Sequence, residues 1–168
     1  NGGTEGLSPG FWKSHSEFGP APLVGWPDTG YGPLDLVNPI FGINLSGNPT
    51  LIGALGAGGG GRNALMRQAV AGLLNASHPK IDYVFTKAQV FSMVQTAVNS
   101  GNAEIMVSTK NTLETENTKE GDITAGGGVP VPAPGFGDDA DFPPGLSLSF
   151  GQCPGFTFVV TNPGDVPL

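Results

Sequence analysis

The stretch GRNALMRQAVAGLLNASHP, residues 61–79, constrains the fold more than any other part of the chain. Leu65, Met66, Ala69, Val70, Leu73 and Leu74 recur at spacings of three and four. On a turn of about 3.6 residues they form one apolar stripe, with Arg67, Gln68 and Asn75 on the opposite side. Such a stripe demands burial, and Pro79 ends the pattern. The segment reads as a core helix, and the rest of the chain has to supply its partners.

Two partners follow it. TKAQVFSMVQTAVNSG, residues 86–101, opens with Thr86 and carries Gln89 three positions later, a capping box in which each side chain satisfies an orphan backbone N–H. Val90, Phe91, Val94 and Val98 form its buried face, and Gly101 stops it. A third helix is expected from Ala103 to Thr118, capped by Asn102, with Ile105, Thr112 and Leu113 facing inward. Its thin stripe predicts a place at the edge of the bundle. Upstream, PLDLVNPIFGI and NPTLIGALGAG read as short helices, the second with Asn48 as cap, Pro49 at the first helical position and Gly56 as terminator. Residues 1–120 are therefore read as a small helical domain.

Of the 168 residues, 28 are Gly and 16 are Pro, so the loops between these helices are long and turn-rich. After Gly121 the character changes. GGGVPVPAPGFGDDADFPPG spaces Pro to enforce extended backbone and Gly to break everything else, which makes 121–145 an acidic linker. LSLSFG and GFTFVVT then flank the turn QCPG and predict a β-hairpin within 146–168. The expected fold class is mainly α, or α+β once the C-terminal hairpin is counted.

A net charge of -7 and a pI near 4.5 set the chain against phosphate backbones and anionic lipid, so nucleic-acid partners are excluded. No run reaches the roughly 20 apolar residues of a membrane span, which argues against membrane insertion, and NGGTEG has neither the basic nor the apolar region of a signal peptide. The one cysteine, Cys153, permits no intrachain disulfide but is available for an intermolecular bond. Low charge, scarce Lys and abundant Gly, Ser, Thr and Asn lean towards an extracellular bacterial protein.

The order SPGFWKSH, GWP, NPTLIGALGAGGGGRNALMRQAVAGLLNASHP and YVFTKAQVFSMVQTAVNSG resembles a module of secreted and cell-surface bacterial proteins. That module is recognised by a Pro-Gly-Phe-Trp-Lys-x-His opening and a Gly-rich turn leading into an Ala/Leu helix. The resemblance spans residues 6–120 and implies an extracellular or cell-surface location and modular use. Such modules often carry a cysteine ahead of the Pro-Gly, where Gly6, Leu7 and Ser8 stand here. FTFVVTNPGDVPL is loosely similar to the first strands of Ig-like repeat domains in bacterial surface proteins, although the rest of such a sandwich is not in this chain.

Several stretches invite a chemical reading. In PGFWKSH, His15 could serve as a general base or metal ligand with Ser14, Glu17 or His78 as helper. The alternative makes Phe11, Trp12, His15 and Trp26 a structural plug, its aromatics buried on the helices and its polar groups at the rim. With two histidines in separate segments and neither G-x-S-x-G nor H-E-x-x-H present, the plug is preferred and no catalytic residue is assigned. GAGGGGRN has the glycine spacing of a phosphate loop, but Arg62 and Asn63 replace Lys and Ser/Thr and no strand precedes it. It reads as an interhelical turn, with Arg62 and Arg67 pairing to local carboxylates or carbonyls. Asp138, Asp139 and Asp141 could converge on a calcium ion or form a solvated acidic loop. No other cofactor is expected. Asn44 and Asn75 head glycosylation sequons.

The hairpin carries the functional expectation. Leu146, Leu148 and Phe150 form one apolar row and Phe156, Phe158 and Val160 another, yet an isolated two-stranded hairpin is marginal in water. A linker able to span several tens of ångströms can place these strands on a neighbouring copy, and head-to-tail additions propagate. The sequence therefore suggests a non-enzymatic, self-assembling subunit of a bacterial surface filament, sheath or matrix, a homo-oligomer or polymer. A monomeric adhesion or ligand-binding module, calcium-dependent or not, is the alternative, and a hydrolytic enzyme a third.

Overall fold

The computed structural model of the chain describes residues 3–121 and residue 123. Among them lie seven helices: α1 (Pro9–Ser14), α2 (Trp26–Thr29), α3 (Val37–Phe41), α4 (Leu51–Gly56), α5 (Gly61–Ser77), α6 (Lys87–Ser100) and α7 (Ala103–Asn117). The only β pairing among the described residues is an isolated antiparallel bridge between Leu36 and Thr50. The described residues are mainly helical. They fall in one compact unit, Asn1–Gly126, and Ile123, 6% exposed, belongs to its core. The linker and hairpin expected for 121–145 and 146–168 lie outside the described residues, Gly121 and Ile123 excepted.

α5 is the hub, packing against α1, α2, α4, α6 and α7. Its burial is wider than the stripe implied. Gln68 and Asn75, expected on the solvent side, are buried, and so is every residue between them. A helix surrounded by others has no outer face, so its polar residues must find partners inside. Close approach is possible because Gly72 has no side chain; a Cβ there would lie 3.1 Å from the Tyr83 hydroxyl and 3.3 Å from Leu113.

α6 is built by the capping box read in the sequence: the Thr86 hydroxyl accepts from Gln89 N at 3.3 Å while Gln89 Oε1 accepts from Thr86 N at 2.8 Å. Val90, Val94 and Val98 are buried, Phe91 is half-buried against Phe41, and Gly101 closes the helix in the left-handed conformation. α7 is capped by Asn102, whose Oδ1 accepts from Glu104 N at 2.8 Å.

Two expectations about the helix faces are corrected. Ile105 and Thr112 are exposed, and the inward face of α7 is instead Met106, Thr109, Lys110, Leu113 and Asn117, at helical spacings of three and four. α7 lies along α5 as the most extensive helix pair of the unit, burying Leu113 and Asn117 and leaving most of its other residues exposed, as its thin stripe predicted. Asn48 does not cap α4; Thr50 does, its hydroxyl accepting from Gly53 N at 3.1 Å. Asn48 adopts a positive φ of 35° and turns its Oδ1 to accept from Asn38 N at 3.0 Å, fastening the preceding loop to α3. Gly56 is the last residue of α4.

Candidate functional site

Where α5, α7 and the N-terminal segment meet, two buried asparagines form a closed hydrogen-bond system. Asn75 Oδ1 accepts from Leu7 N and from Trp12 Nε1, both at 3.0 Å, and Asn75 Nδ2 donates to Leu7 O at 3.0 Å and to Asn117 Oδ1 at 2.9 Å. Asn117 Oδ1 also accepts from the Tyr83 hydroxyl at 2.7 Å, and Asn117 Nδ2 donates to Gln68 O at 3.0 Å and Gln68 Oε1 at 2.9 Å. Each amide thus uses both donors and both lone pairs. Burial, and then the nearby Glu116 carboxylate, push the Tyr83 hydroxyl above the usual tyrosine range, so it stays a neutral donor. The system ties together segments remote in sequence, with both backbone polar groups of Leu7 paired to the Asn75 side chain. Gly6 lets that segment pass, because a Cβ there would collide with the Glu116 carbonyl.

Directly against it stand the two tryptophans, 0% and 1% exposed. SPGFWKSH folds as α1, with Ser8 accepting from Phe11 N at 3.2 Å and Pro9 in the first turn. That helix points Trp12 inward. Trp26 meets it edge-on, centroids 6.0 Å apart at 85°, and donates its Nε1–H to the Trp12 carbonyl at 2.8 Å. Gly25, at a φ of 81°, makes the approach possible; a Cβ there would come within 2.5 Å of Ile123 and 3.0 Å of the Trp12 ring.

Phe11 and His15 are half-buried and stacked on each other, centroids 4.0 Å apart. His15 Nδ1 lies 3.0 Å from the Phe11 carbonyl and 3.1 Å from Ser14 Oγ, and Ser14 donates to the same carbonyl at 3.1 Å. These groups close the C-terminal end of α1. His78 is elsewhere, buried at the end of α5 with its ring 6.2 Å from that of Trp12. Phe11, Trp12, His15 and Trp26 are thus brought into one aromatic cluster, and His78 joins it through Trp12.

Arg67 donates to the carbonyls of Ala57 and Gly59, the latter at 2.9 Å, and Asn63 donates to Gly58 O at 2.9 Å, so the glycine loop is folded back on α5 by its own residues. Arg62 is exposed. Asn75, head of one sequon, is fully buried and cannot carry a glycan in the folded chain, whereas Asn44 is exposed. Asp138, Asp139 and Asp141, the apolar rows Leu146, Leu148, Phe150 and Phe156, Phe158, Val160, and Cys153 lie outside the described residues. Sequence reasoning missed Gln68, Asn75, Tyr83 and Asn117. The available signal was the pair Gln68 and Asn75, seven positions apart on one face of the helix that carries the longest apolar stripe.

No family model matches the chain, and neither a curated protein nor a solved structure shows significant similarity to it.

Proposed function

We propose that the chain is a non-enzymatic structural protein of the bacterial cell surface, a self-assembling subunit of an extracellular filament, sheath or matrix. Its C-terminal strands make the contacts between copies. The observation that carries this reading is the pair of apolar rows in the sequence, Leu146, Leu148, Phe150 and Phe156, Phe158, Val160, which a two-stranded hairpin of the kind expected there would be too small to bury alone. Two features support it. In the helical unit, His15, Ser14, Arg67 and both buried asparagines are engaged in holding the unit together. The resemblance of residues 6–120 to a module of secreted and surface proteins suggests the location.

The charge distribution favours the same division of labour. All seven Lys and Arg precede residue 121, whereas Asp122, Asp138, Asp139, Asp141 and Asp165 follow it with no cation among them. Charges of one sign repel each other and oppose non-specific collapse of such a segment. The test is assembly of the full chain, by sedimentation and electron microscopy, against a Phe156→Asp/Phe158→Asp variant and a chain ended after Gly126. Polymers formed by the full chain and lost in both variants support the proposal. Unaltered polymers in the variants refute it, and a strictly monomeric full chain at high concentration points to an adhesion module.

A further inference from the structure

We propose that His78 is an acid-sensitive latch: a second proton on its imidazole releases α1 and α2 from the C-terminal end of α5 and opens both tryptophans to solvent. Three elements converge on this ring. It is the C-cap residue of α5, only 4% exposed, and it lies 6.2 Å from the Trp12 indole of α1 at a tilt of 54°. Asp28 of α2 stands with Oδ2 3.6 Å from Nε2. On its other side, Nδ1 accepts the backbone N–H of Lys80 at 3.2 Å.

That last bond fixes the chemistry. An Nδ1 that accepts a hydrogen bond carries no proton, so the neutral ring holds its proton on Nε2, towards Asp28. Adding a proton at Nδ1 sets two N–H groups against each other and places a charge in a buried site beside the Trp12 indole. The charged groups that face the ring are Asp28, on α2, and Lys80, in the loop after α5; α1 contributes the uncharged Trp12. Asp28 favours the imidazolium, but its side chain is 62% exposed, so water weakens the attraction, and Lys80 opposes it.

Burial outweighs the rest and holds the imidazole below its ordinary value of 6.5. A histidine disfavoured as a cation in the folded state stabilises that state above the ordinary value and loses the contribution as pH falls. The open population then grows as pH falls below that value, until the pKa of the buried ring is passed.

The readout is built into the chain, because its two tryptophans are the two in this cluster. Fluorescence of the full chain is recorded from pH 7.5 to 5, with far-UV circular dichroism in parallel. The emission is expected to shift to the red while the helicity of α5, α6 and α7 is kept. His78→Asn offers an uncharged acceptor in place of Nδ1 and is expected to remove the shift; His15→Asn is expected to leave it in place. Identical emission at both pH values, a wild-type transition in His78→Asn, or loss of helicity together with the shift would each overturn the proposal. Should His78→Asn not fold, Asp28→Asn serves: without its counter-ion the latch opens at higher pH, and an unmoved or lowered midpoint overturns the idea.

Discussion

Replacing Asn75 by Ala should cost several kcal/mol, although the side chain lost is polar and small. The substitution removes the partners of three buried groups at once: the Leu7 N–H, the Leu7 carbonyl and the Trp12 Nε1–H. Asn117 Oδ1 keeps Tyr83 and is not orphaned. Each buried group left without a partner costs about 1–3 kcal/mol, so the loss is about 3–9 kcal/mol, set against a typical total stability of about 5–15 kcal/mol. Water entering the vacated space moves the result towards the lower bound. At about 4 °C per kcal/mol for a unit of this size, the melting temperature falls by about 12 °C or more. Thermal and urea denaturation followed by circular dichroism measure this directly. Asn75→Asp supplies the contrast. It keeps the shape but turns an acceptor towards Leu7 O and Asn117 Oδ1, so a buried carboxylate has no donor there. Its folded pKa lies above the ordinary value of about 3.9, and its stability relative to wild type improves as pH falls and declines as pH rises through that raised value. A loss under about 1 kcal/mol for Asn75→Ala would show that the amide system does not hold the unit together.

Other outcomes follow from individual contacts. Leu73→Ala, at a fully buried site on α5, is expected to lose about 2–5 kcal/mol in urea denaturation. Gly25→Ala combines a left-handed backbone with a collision against Trp12 and Ile123, so a clear drop in melting temperature and a change in tryptophan emission are expected. His15→Ala removes a stacked ring from the end of α1 and should reduce stability modestly, with no effect on bound transition metal measured by elemental analysis. If calcium binds, isothermal titration should show its uptake lost in a chain with Asp138, Asp139 and Asp141 all changed to Asn; uptake that persists would exclude that loop.

The helices with regular punctuation were legible in the sequence. Thr86 and Gln89, Asn102, Gly101 and the Leu65 to Leu74 stripe each act within one turn of their own position, and local chemistry decided them. What escaped was set by tertiary contact. Asn75 and Gln68 look like a solvent face until α7 and the N-terminal segment cover them. Ile105 is apolar and reads as core, yet Leu113 and Asn117 define the inward face about 100° away around the helix. Asn48 has the right side chain for a cap but sits in a positive-φ turn fixed by Asn38. The aromatic cluster was visible as composition, whereas its dependence on Gly25 and Ile123 was not.

The entry and exit of the helical unit lie side by side. Glu5 bonds through its backbone N–H to Asp82 O at 3.2 Å, Lys119 Nζ reaches Gly3 O at 3.4 Å, and Gly121 lies against Glu5 and Leu7. A pull applied through the two ends therefore does not run along α5. It peels the segment at Leu7 away from Asn75 one bond at a time, the unzipping geometry in which hydrogen bonds fail in sequence instead of sharing the force. Under tension between its two ends, the unit is expected to open from the Leu7 end before α5, α6 and α7 part.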